Sequence, residues 1–387
     1  MKKKIAVLTA TRAEYGLLRN IISALNQIDE IDVEVVITGA HLSPEYGFTY
    51  REIEKDGIHI TKKIEILLSS STAVAVSKSM GLALASFAEY FEESKPDALL
   101  VLGDRYETLA VCCAAMNARL PIFHMYGGET TEGAIDEAVR HAVTKMSYLH
   151  FTSTEEYRRR VIQMGENPAR VFHVGAVGVE NALHRKKLRK EELAESVGID
   201  LKVPFGVVTF HPVTLESGVE TQCRELLGAM EYFSDFQFII TGANADCGGT
   251  AVNQMLSEFA SQHENVYFTL SLGAERYLSA LNYASFVLGN SSSGLVEVPS
   301  FHIPTINIGN RQKGRIKADS VLDCEANAKD IIRAVEYALS ESFLECVKNV
   351  ENPYGDGNTS KRVVEIIKEH ILHNEFSLQK KFYDINF

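Results

Sequence analysis

No run in this 387-residue chain approaches the about 18 consecutive apolar residues that a membrane-crossing helix needs. The loop after the first apolar run, Thr11-Arg12-Ala13-Glu14-Tyr15-Gly16, is not Gly-x-Gly-x-x-Gly, which counts against a nicotinamide- or flavin-binding half. There is no His-Glu-x-x-His, no His/Cys pair at ligand spacing and no Asp-x-Asp pair after a strand, so no metal and no cofactor are expected. The six cysteines, Cys112, Cys113, Cys223, Cys247, Cys324 and Cys346, form no Cys-x-x-Cys and read as reduced, mostly buried thiols. Basic excess is also missing. A net charge of −12 argues against bulk nucleic acid or an anionic membrane surface as partner, so an anionic ligand would need a local pocket of Arg, Lys and backbone N–H groups. The opening Met1–Gly16 has the basic residues and short apolar run of a signal peptide. However, Ile5–Ala10 is only a strand long and breaks at Arg12 and Glu14, so a first strand and a cytoplasmic protein are expected.

What is present is an ordinary globular composition, 45% apolar and 23% charged, at a length that implies two domains. Strand candidates are Lys4–Ala10, Val33–Thr38, Ile58–Ile64, Ala98–Leu102, Ile122–Met125, Leu149–Thr152 and Val171–Val174. Helical patterns such as Tyr15–Gln27, Ala73–Ser94 and Tyr106–Ala118 separate them. Asn181–Lys202 has no strand and reads as a connecting helix and linker. The alternation then restarts with Phe205–Phe210, Phe236–Thr241, Val266–Thr269, Phe286–Leu288 and Thr305–Ile308. Such alternation predicts βαβ units, here an α/β chain of two doubly wound, Rossmann-like domains with a ligand cleft facing the carboxyl ends of both sets of strands. The expected boundaries are 1–180, 181–359 and a helical tail 360–387 that crosses back to the first domain.

In doubly wound folds the loops after the strands carry the chemistry. The most telling one lies in Phe286–Pro299, where an apolar strand runs into Gly289-Asn290-Ser291-Ser292-Ser293-Gly294. Hydroxyls and free N–H donors at a helix start suit an anion, most often phosphate, and Glu297 a turn later suits ribose hydroxyls; a serine-rich cap that binds nothing is the alternative. Arg311, Lys313 and Arg315 lie on a later loop and would suit a diphosphate. After earlier strands come Arg12, His41, and the pair Asp104 and Arg105. Asp104 reads equally as a helix cap, whereas a cation such as Arg105 is poorly placed at a helix N-terminus unless an anion offsets it. His124, Glu129, Asp136 and Glu137 fall within fourteen residues on a Gly-hinged loop. Crowded carboxylates there should raise at least one pKa into the range of a general acid or base; a solvated acidic loop is the alternative. His211, Asn244 and Ser271 follow strands of the second half.

Taken in order, TRAEYG, GAHL, GDRYE, the GGE…DE…RH region, FHP, GNSSSG…E and GNRQKGR resemble the hydrolysing UDP-N-acetylglucosamine 2-epimerases, across nearly the whole chain to the C-terminal KFYDI. The likeness is strongest to bacterial enzymes that make N-acetylmannosamine for sialic acid. It implies the GT-B-like fold, with the active site in the cleft between domains and the nucleotide on the second. It also implies roles: Ser291 and Ser292 on the diphosphate, Glu297 on the ribose, Arg311 and His211 on phosphates, and Ser271 near the uracil. Arg12, Arg105 and Asn244 would close on the ligand, and Asp104 and Asp136 would be the catalytic carboxylates. The implied reaction removes the C2 proton and expels UDP, giving a 2-acetamidoglucal that is hydrated from the opposite face at C2. One position departs: relatives carry His-x-Glu-Gly-Gly where this chain has Tyr126, leaving Glu129, His124 or Tyr126 for a third ionisable role. The partner expected is a UDP-sugar, and the assembly a homodimer or homotetramer. The readings kept beside it are the same chemistry on a UDP- or GDP-linked 2,4-diacetamido-trideoxyhexose of the legionaminic acid path, a non-hydrolysing epimerase, a GT-B glycosyltransferase, and a nucleotide-sugar sensor.

Overall fold

The computed structural model describes residues 2–70, 72–131, 135–212, 218–243, 249–373 and 378–385. The chain divides into two compact units, Met1–Val177 with Asn358–Phe387, and Gly178–Gly357.

The first unit holds seven parallel strands: β1 (Lys3–Thr9), β2 (Ile31–Ile37), β3 (Ile60–Lys63), β4 (Ala98–Leu102), β5 (Ile122–Met125), β6 (Leu149–Thr152) and β7 (Val171–His173). They lie in the order β3-β2-β1-β4-β5-β6-β7. Ile5, Val7, Leu100 and Phe123 are fully buried, the continuous apolar reading of strands covered on both faces. Helices fill the connections, and the first, Arg12–Leu25, begins with a capping box in which Thr11 Oγ1 accepts from Glu14 N–H. The helix Thr359–His373 belongs to this unit, and its Val363, Ile367 and Ile371 share a core with Leu18, Ile21 and Ile22. Residues 378–385 return to the same unit, where Lys380 Nζ donates to Glu166 (2.6 Å) and to the Ser147 carbonyl (2.7 Å).

The second unit has six parallel strands, β8 (Phe205–Thr209), β9 (Gln237–Thr241), β10 (Val266–Thr269), β11 (Phe286–Gly289), β12 (Thr305–Ile308) and β13 (Val321–Cys324), ordered β10-β9-β8-β11-β12-β13. Both sheets are doubly wound, as the alternation predicts. The strand order reverses between β1 and β4 in one and between β8 and β11 in the other, so each sheet opens a crevice at those carboxyl ends.

Two readings need correction. The stretch 181–202, expected as a connecting helix and linker, takes part in two helices, Val177–His184 and Lys190–Val197, and is no mere linker: its Ala182, Leu193 and Val197 pack with Phe205 and Val207 in a core of the second unit. The cysteines are less buried than expected: Cys112 and Cys223 are buried, Cys113 and Cys324 partly so, and Cys346 is exposed, while Cys247 lies outside the described residues.

Candidate active site

At the ends of β4 and β5 the acidic residues are organised around one buried arginine. Arg140, on the helix Ile135–Met146 and only 2% exposed, donates through Nε to Asp104 Oδ2 (2.8 Å) and through Nη1 to Glu137 Oε2 (2.7 Å) and the Glu129 carbonyl (2.7 Å). Its Nη2 reaches Thr131 Oγ1 (2.7 Å) and makes a second, short contact to Asp104. Asp104 is therefore no cap. The capping position of the helix Tyr106–Asn117 is Arg105, which makes no side-chain cap bond.

Asp136 stands in the first turn of the helix that carries Arg140. Burial pushes its carboxyl above the usual range, the Asp104 charge adds to this, and its own backbone N–H, Arg140 and Arg105 pull the other way. The cluster thus holds an arginine-paired carboxylate beside one whose pKa is raised by burial and by that neighbour's charge. Glu137 moves in the opposite direction: burial raises it, but the Thr131 N–H and Arg140 outweigh that.

The connecting loop is pinned from several sides. Glu129 Oε1 accepts from Ser153 Oγ (2.7 Å), and Arg160 donates to the Gly128 carbonyl (2.8 Å). Gly128 has φ +78°, and a Cβ there would lie 2.4 Å from the Tyr157 carbonyl, so only glycine lets the loop pass. His124 has no exposed surface, and its Nε2 lies 2.9 Å from the Gly103 carbonyl and Nδ1 3.2 Å from Thr144 Oγ1. Burial lowers its pKa to about 3, so the ring is neutral and fits a positioning role for the Gly103–Asp104 turn better than proton transfer. Tyr126, with φ +71°, accepts at its hydroxyl from the Val177 N–H (3.0 Å), which serves the start of the helix Val177–His184.

In the second unit, β11 and β8 approach so closely that a Cβ on Gly289 would lie 1.9 Å from the Thr209 carbonyl. Asn290 then bridges the loops at the crevice: its Oδ1 accepts from His211 N–H (2.7 Å) and its Nδ2 donates to the His211 carbonyl (2.8 Å). The Asn290 carbonyl accepts from Arg311 Nη1 (3.1 Å) and Gln312 Nε2 (2.8 Å). Burial, with Arg311 nearby, lowers His211 to about 4, leaving a neutral ring. The helix after the serines is a single turn, Ser293–Val296. Ser293 Oγ accepts from Tyr277 (2.8 Å), Ser291 Oγ accepts weakly from Ser293 N–H (3.4 Å), and Ser292 makes no capping bond. Burial raises Glu297 to about 7, and its Oε1 packs so close to Gly178 that a Cβ there would lie at 2.4 Å.

The structure therefore gathers Asp104, Asp136, Glu129 and His124 about the ends of β4 and β5, and places His211, Ser291, Ser292 and Arg311 after β8, β11 and β12. Arg105 joins a separate pair of carboxylates described below. Arg12 stays at the surface, 57% exposed and 3.9 Å from Glu52. Ser271 is exposed after β10, its Oγ accepting from Gly273 N–H (3.2 Å). Asn244 lies outside the described residues. Among the described residues no group of three or more His, Cys, Asp or Glu side chains is placed to hold a metal ion, and no helix is long and apolar enough to cross a membrane.

A family model described as UDP-N-acetylglucosamine 2-epimerase matches residues 23–368. The chain belongs to that family. It is 41% identical to the polysialic acid biosynthesis protein P7 of Escherichia coli, over 99% of this chain and 98% of that one. It is 40% identical to a GDP/UDP-N,N'-diacetylbacillosamine 2-epimerase (hydrolyzing) of Campylobacter jejuni, over 88% and 89% of the two chains. Its fold is GT-B-like. A solved UDP-N-acetylglucosamine 2-epimerase of Neisseria meningitidis superposes with TM-score 0.76 at 20% identity, covering 95% of this chain and 100% of that one. A structure described as a putative enzyme of the same kind from Listeria monocytogenes reaches 0.81 at 19%, covering 97% and 98%.

For this member of the epimerase family, reading the loops gave no role to three residues that organise these clusters: Arg140, Asn290 and Gln312. Arg140 lies within a helix, but its spacing of three and four residues from Glu137 and Asp136 puts all three on neighbouring positions, a signal present in the sequence. Asn290 directly follows the strand-ending Gly289, and its bridging role depends on a partner 79 residues away, which no local pattern records.

Proposed function

We propose that this enzyme is a hydrolysing 2-epimerase that converts UDP-N-acetylglucosamine and water to N-acetylmannosamine and UDP. The observation that carries the reading is the Arg140-centred cluster, in which Asp104 is paired with a guanidinium while burial and the Asp104 charge raise the pKa of the neighbouring Asp136. Two neighbouring carboxyl groups in different settings, one bonded to a buried guanidinium and one not, suit an elimination followed by a hydration. In the first step a carboxylate takes the C2 proton, the C1–O bond to UDP breaks, and a 2-acetamidoglucal forms. In the second, water supplies a hydroxyl to C1 while a proton reaches C2 from the opposite face. Ser291, Ser292, His211 and Arg311 hold the diphosphate, Glu297 the ribose, and Ser271 lies toward the uracil. Arg12, Arg105 and Asn244 complete the ligand's contacts, and Glu129 and His124 support the acidic loop. Arginine and N–H donors stabilise the departing diphosphate. Relatives named as hydrolysing, at 40% and 34% identity, favour release of the free sugar over return of a UDP-sugar.

Those two relatives also favour a second substrate, since both are named for N,N'-diacetylbacillosamine. The decisive experiment incubates the purified chain with each UDP-sugar and no acceptor, then identifies the products. N-acetylmannosamine and UDP from UDP-N-acetylglucosamine support the proposal. Turnover confined to the diacetylated sugar moves the assignment to that substrate, and a sugar released without inversion at C2 rejects it.

A further inference from the structure

A second group of charges forms where β1 and β4 end, and of its three members only Arg105 has a role in the proposed function, which leaves Glu14 and Glu107 unexplained. Glu14 lies in the first turn of the helix Arg12–Leu25, and Arg105 and Glu107 flank the start of the helix Tyr106–Asn117. Glu14 Oε2 is occupied, accepting from the Ala10 N–H (2.7 Å) and the Thr11 N–H (3.2 Å). Its other oxygen, Oε1, lies 3.7 Å from Arg105 Nε, and Arg105 Nη2 donates to Glu107 Oε1 at 3.0 Å. Three atoms are left buried without a hydrogen-bond partner: Glu14 Oε1, Arg105 Nε and Glu107 Oε2. Such atoms are rare in folded proteins, and here all three belong to one triad.

The exposures are equally uneven. The Glu14 and Glu107 side chains are 10% and 1% exposed, whereas Arg105 is 41% exposed although its Nε is buried. The accessible part of the arginine is therefore not the edge that meets Glu14. A guanidinium offers five donors in a fixed fork, and one held by buried carboxylates has little rotamer freedom left to lose when an anion meets its outer side. Standing at a helix N-terminus with two acids behind it, Arg105 is arranged for an anion in front.

We propose that Glu14 and Glu107 are positioning residues that fix the Arg105 guanidinium so that its outer N–H groups receive a diphosphate oxygen of the sugar nucleotide. This rests on the nucleotide-sugar reading above. Anion binding is then linked to a proton on Glu14. Burial pushes that carboxyl up to about 7, while Arg105 pulls it down and Glu107 pushes it further. These are the charged groups acting on it; His41, from the loop after β2, is held neutral by burial and bonds Thr9 and Thr49. A phosphate on Arg105 offsets the guanidinium's pull, so Glu14 takes up a proton as the ligand binds.

The test uses the full chain with UDP as probe. Glu14→Gln keeps an amide oxygen for the Ala10 and Thr11 N–H groups and removes the charge facing Arg105. UDP affinity should fall about tenfold in Glu14→Gln and in Glu107→Gln, yet adding either to Arg105→Gln should cost less than about twofold more. Calorimetry near pH 7 in buffers of different ionisation heat should show proton uptake in the unmodified chain and not in Glu14→Gln. Independently of UDP, the Glu14 carboxyl followed by carbon NMR should titrate higher in Arg105→Gln. Additive losses with UDP binding intact overturn this inference and leave the nucleotide reading standing. No UDP binding by the unmodified chain overturns the nucleotide reading and the anion role together, and an unmoved Glu14 titration removes the coupling itself.

Discussion

Arg140 shows how one side chain can set the chemistry of its neighbours. Its guanidinium is spent on Asp104, Glu137, Thr131 and the Glu129 carbonyl, so its removal strands two carboxylates at once. Breaking a buried pair from one side costs about 3–5 kcal/mol, and Arg140→Met should lower unfolding free energy by that order in urea titrations. Catalysis is read separately. Asp104→Asn and Asp136→Asn keep the shape of each side chain and remove its basicity, so kcat should fall by at least about a hundredfold with UDP affinity little changed. Turnover in deuterated water should place one deuterium at C2 of the product, because the proton taken there is returned from solvent. Near-normal kcat in both variants, or a product without deuterium, would remove these carboxylates from the mechanism. Asp104, Asp136 and Glu129 were legible because each follows a strand or opens a helix, the positions that doubly wound sheets expose. Arg140 was legible only in part: its spacing from Glu137 is written in the helix, but its pairing with Asp104, 36 residues away, is made by the fold.

At the scale of elements, the strand and helix pattern was legible almost throughout. The alternation of β-branched runs with longer amphipathic ones carries one meaning in a parallel sheet, and Ala73–Ser94 and Ala98–Leu102 match their expected spans. Strand β13 was missed for a physical reason: Val321–Cys324 is four residues at a sheet edge, partly exposed, with Asp323 inside it. Residues 378–385 were expected to continue the C-terminal helix, but that helix is Thr359–His373 and 378–385 form none; what holds them is a buried charge. Glu166, 1% exposed, accepts from Lys145 Nζ (2.6 Å), His150 Nε2 (3.1 Å) and Lys380 Nζ (2.6 Å), and Tyr383 N–H adds a bond to the Gly165 carbonyl (2.9 Å). Glu166→Gln leaves two ammonium groups without their counter-charge, so the tail should detach locally before the unit unfolds. Limited trypsin digestion read by mass spectrometry should find cleavage after Lys380 and Lys381 fast in the variant and slow in the unmodified chain. Equal rates would show that the remaining backbone contacts suffice to hold the segment.

For the whole molecule, the buried ionisable groups oppose one another as pH falls, and their count predicts the outcome. His41 and His211 are lowered to about 4 and His124 to about 3, each chiefly by burial. The unfolded chain protonates them near pH 6.5 while the folded one does not, so each removes stability on acidification below 6.5, down to its folded value. Glu14 and Glu297 act in the other direction. Raised to about 7 by burial, they hold protons in the folded state that the unfolded chain releases above about 4.5, so each restores stability as pH falls from 7 toward 4.5. Three histidines stand against two glutamates, and His150, also lowered by burial, makes a fourth on the losing side. Each uncompensated proton is worth about 1.4 kcal/mol per pH unit, so stability should decline by about 1.4 kcal/mol per unit between pH 6.5 and 4.5, with His150 adding in the same direction. From there down to about pH 4, where His41 and His211 reach their folded values, the decline should steepen. The two glutamates are then protonated in both states, and Glu166, held down to about 2 by His150, Lys145 and Lys380 against the cost of burial, begins to lose its stabilising charge. Urea titrations at half-unit intervals measure this directly, and His211→Gln should flatten the upper limb by about one proton. Stability that rises as pH falls from 6.5 to 4.5 would mean that the buried glutamates, and not the histidines, dominate the molecule's response to acid.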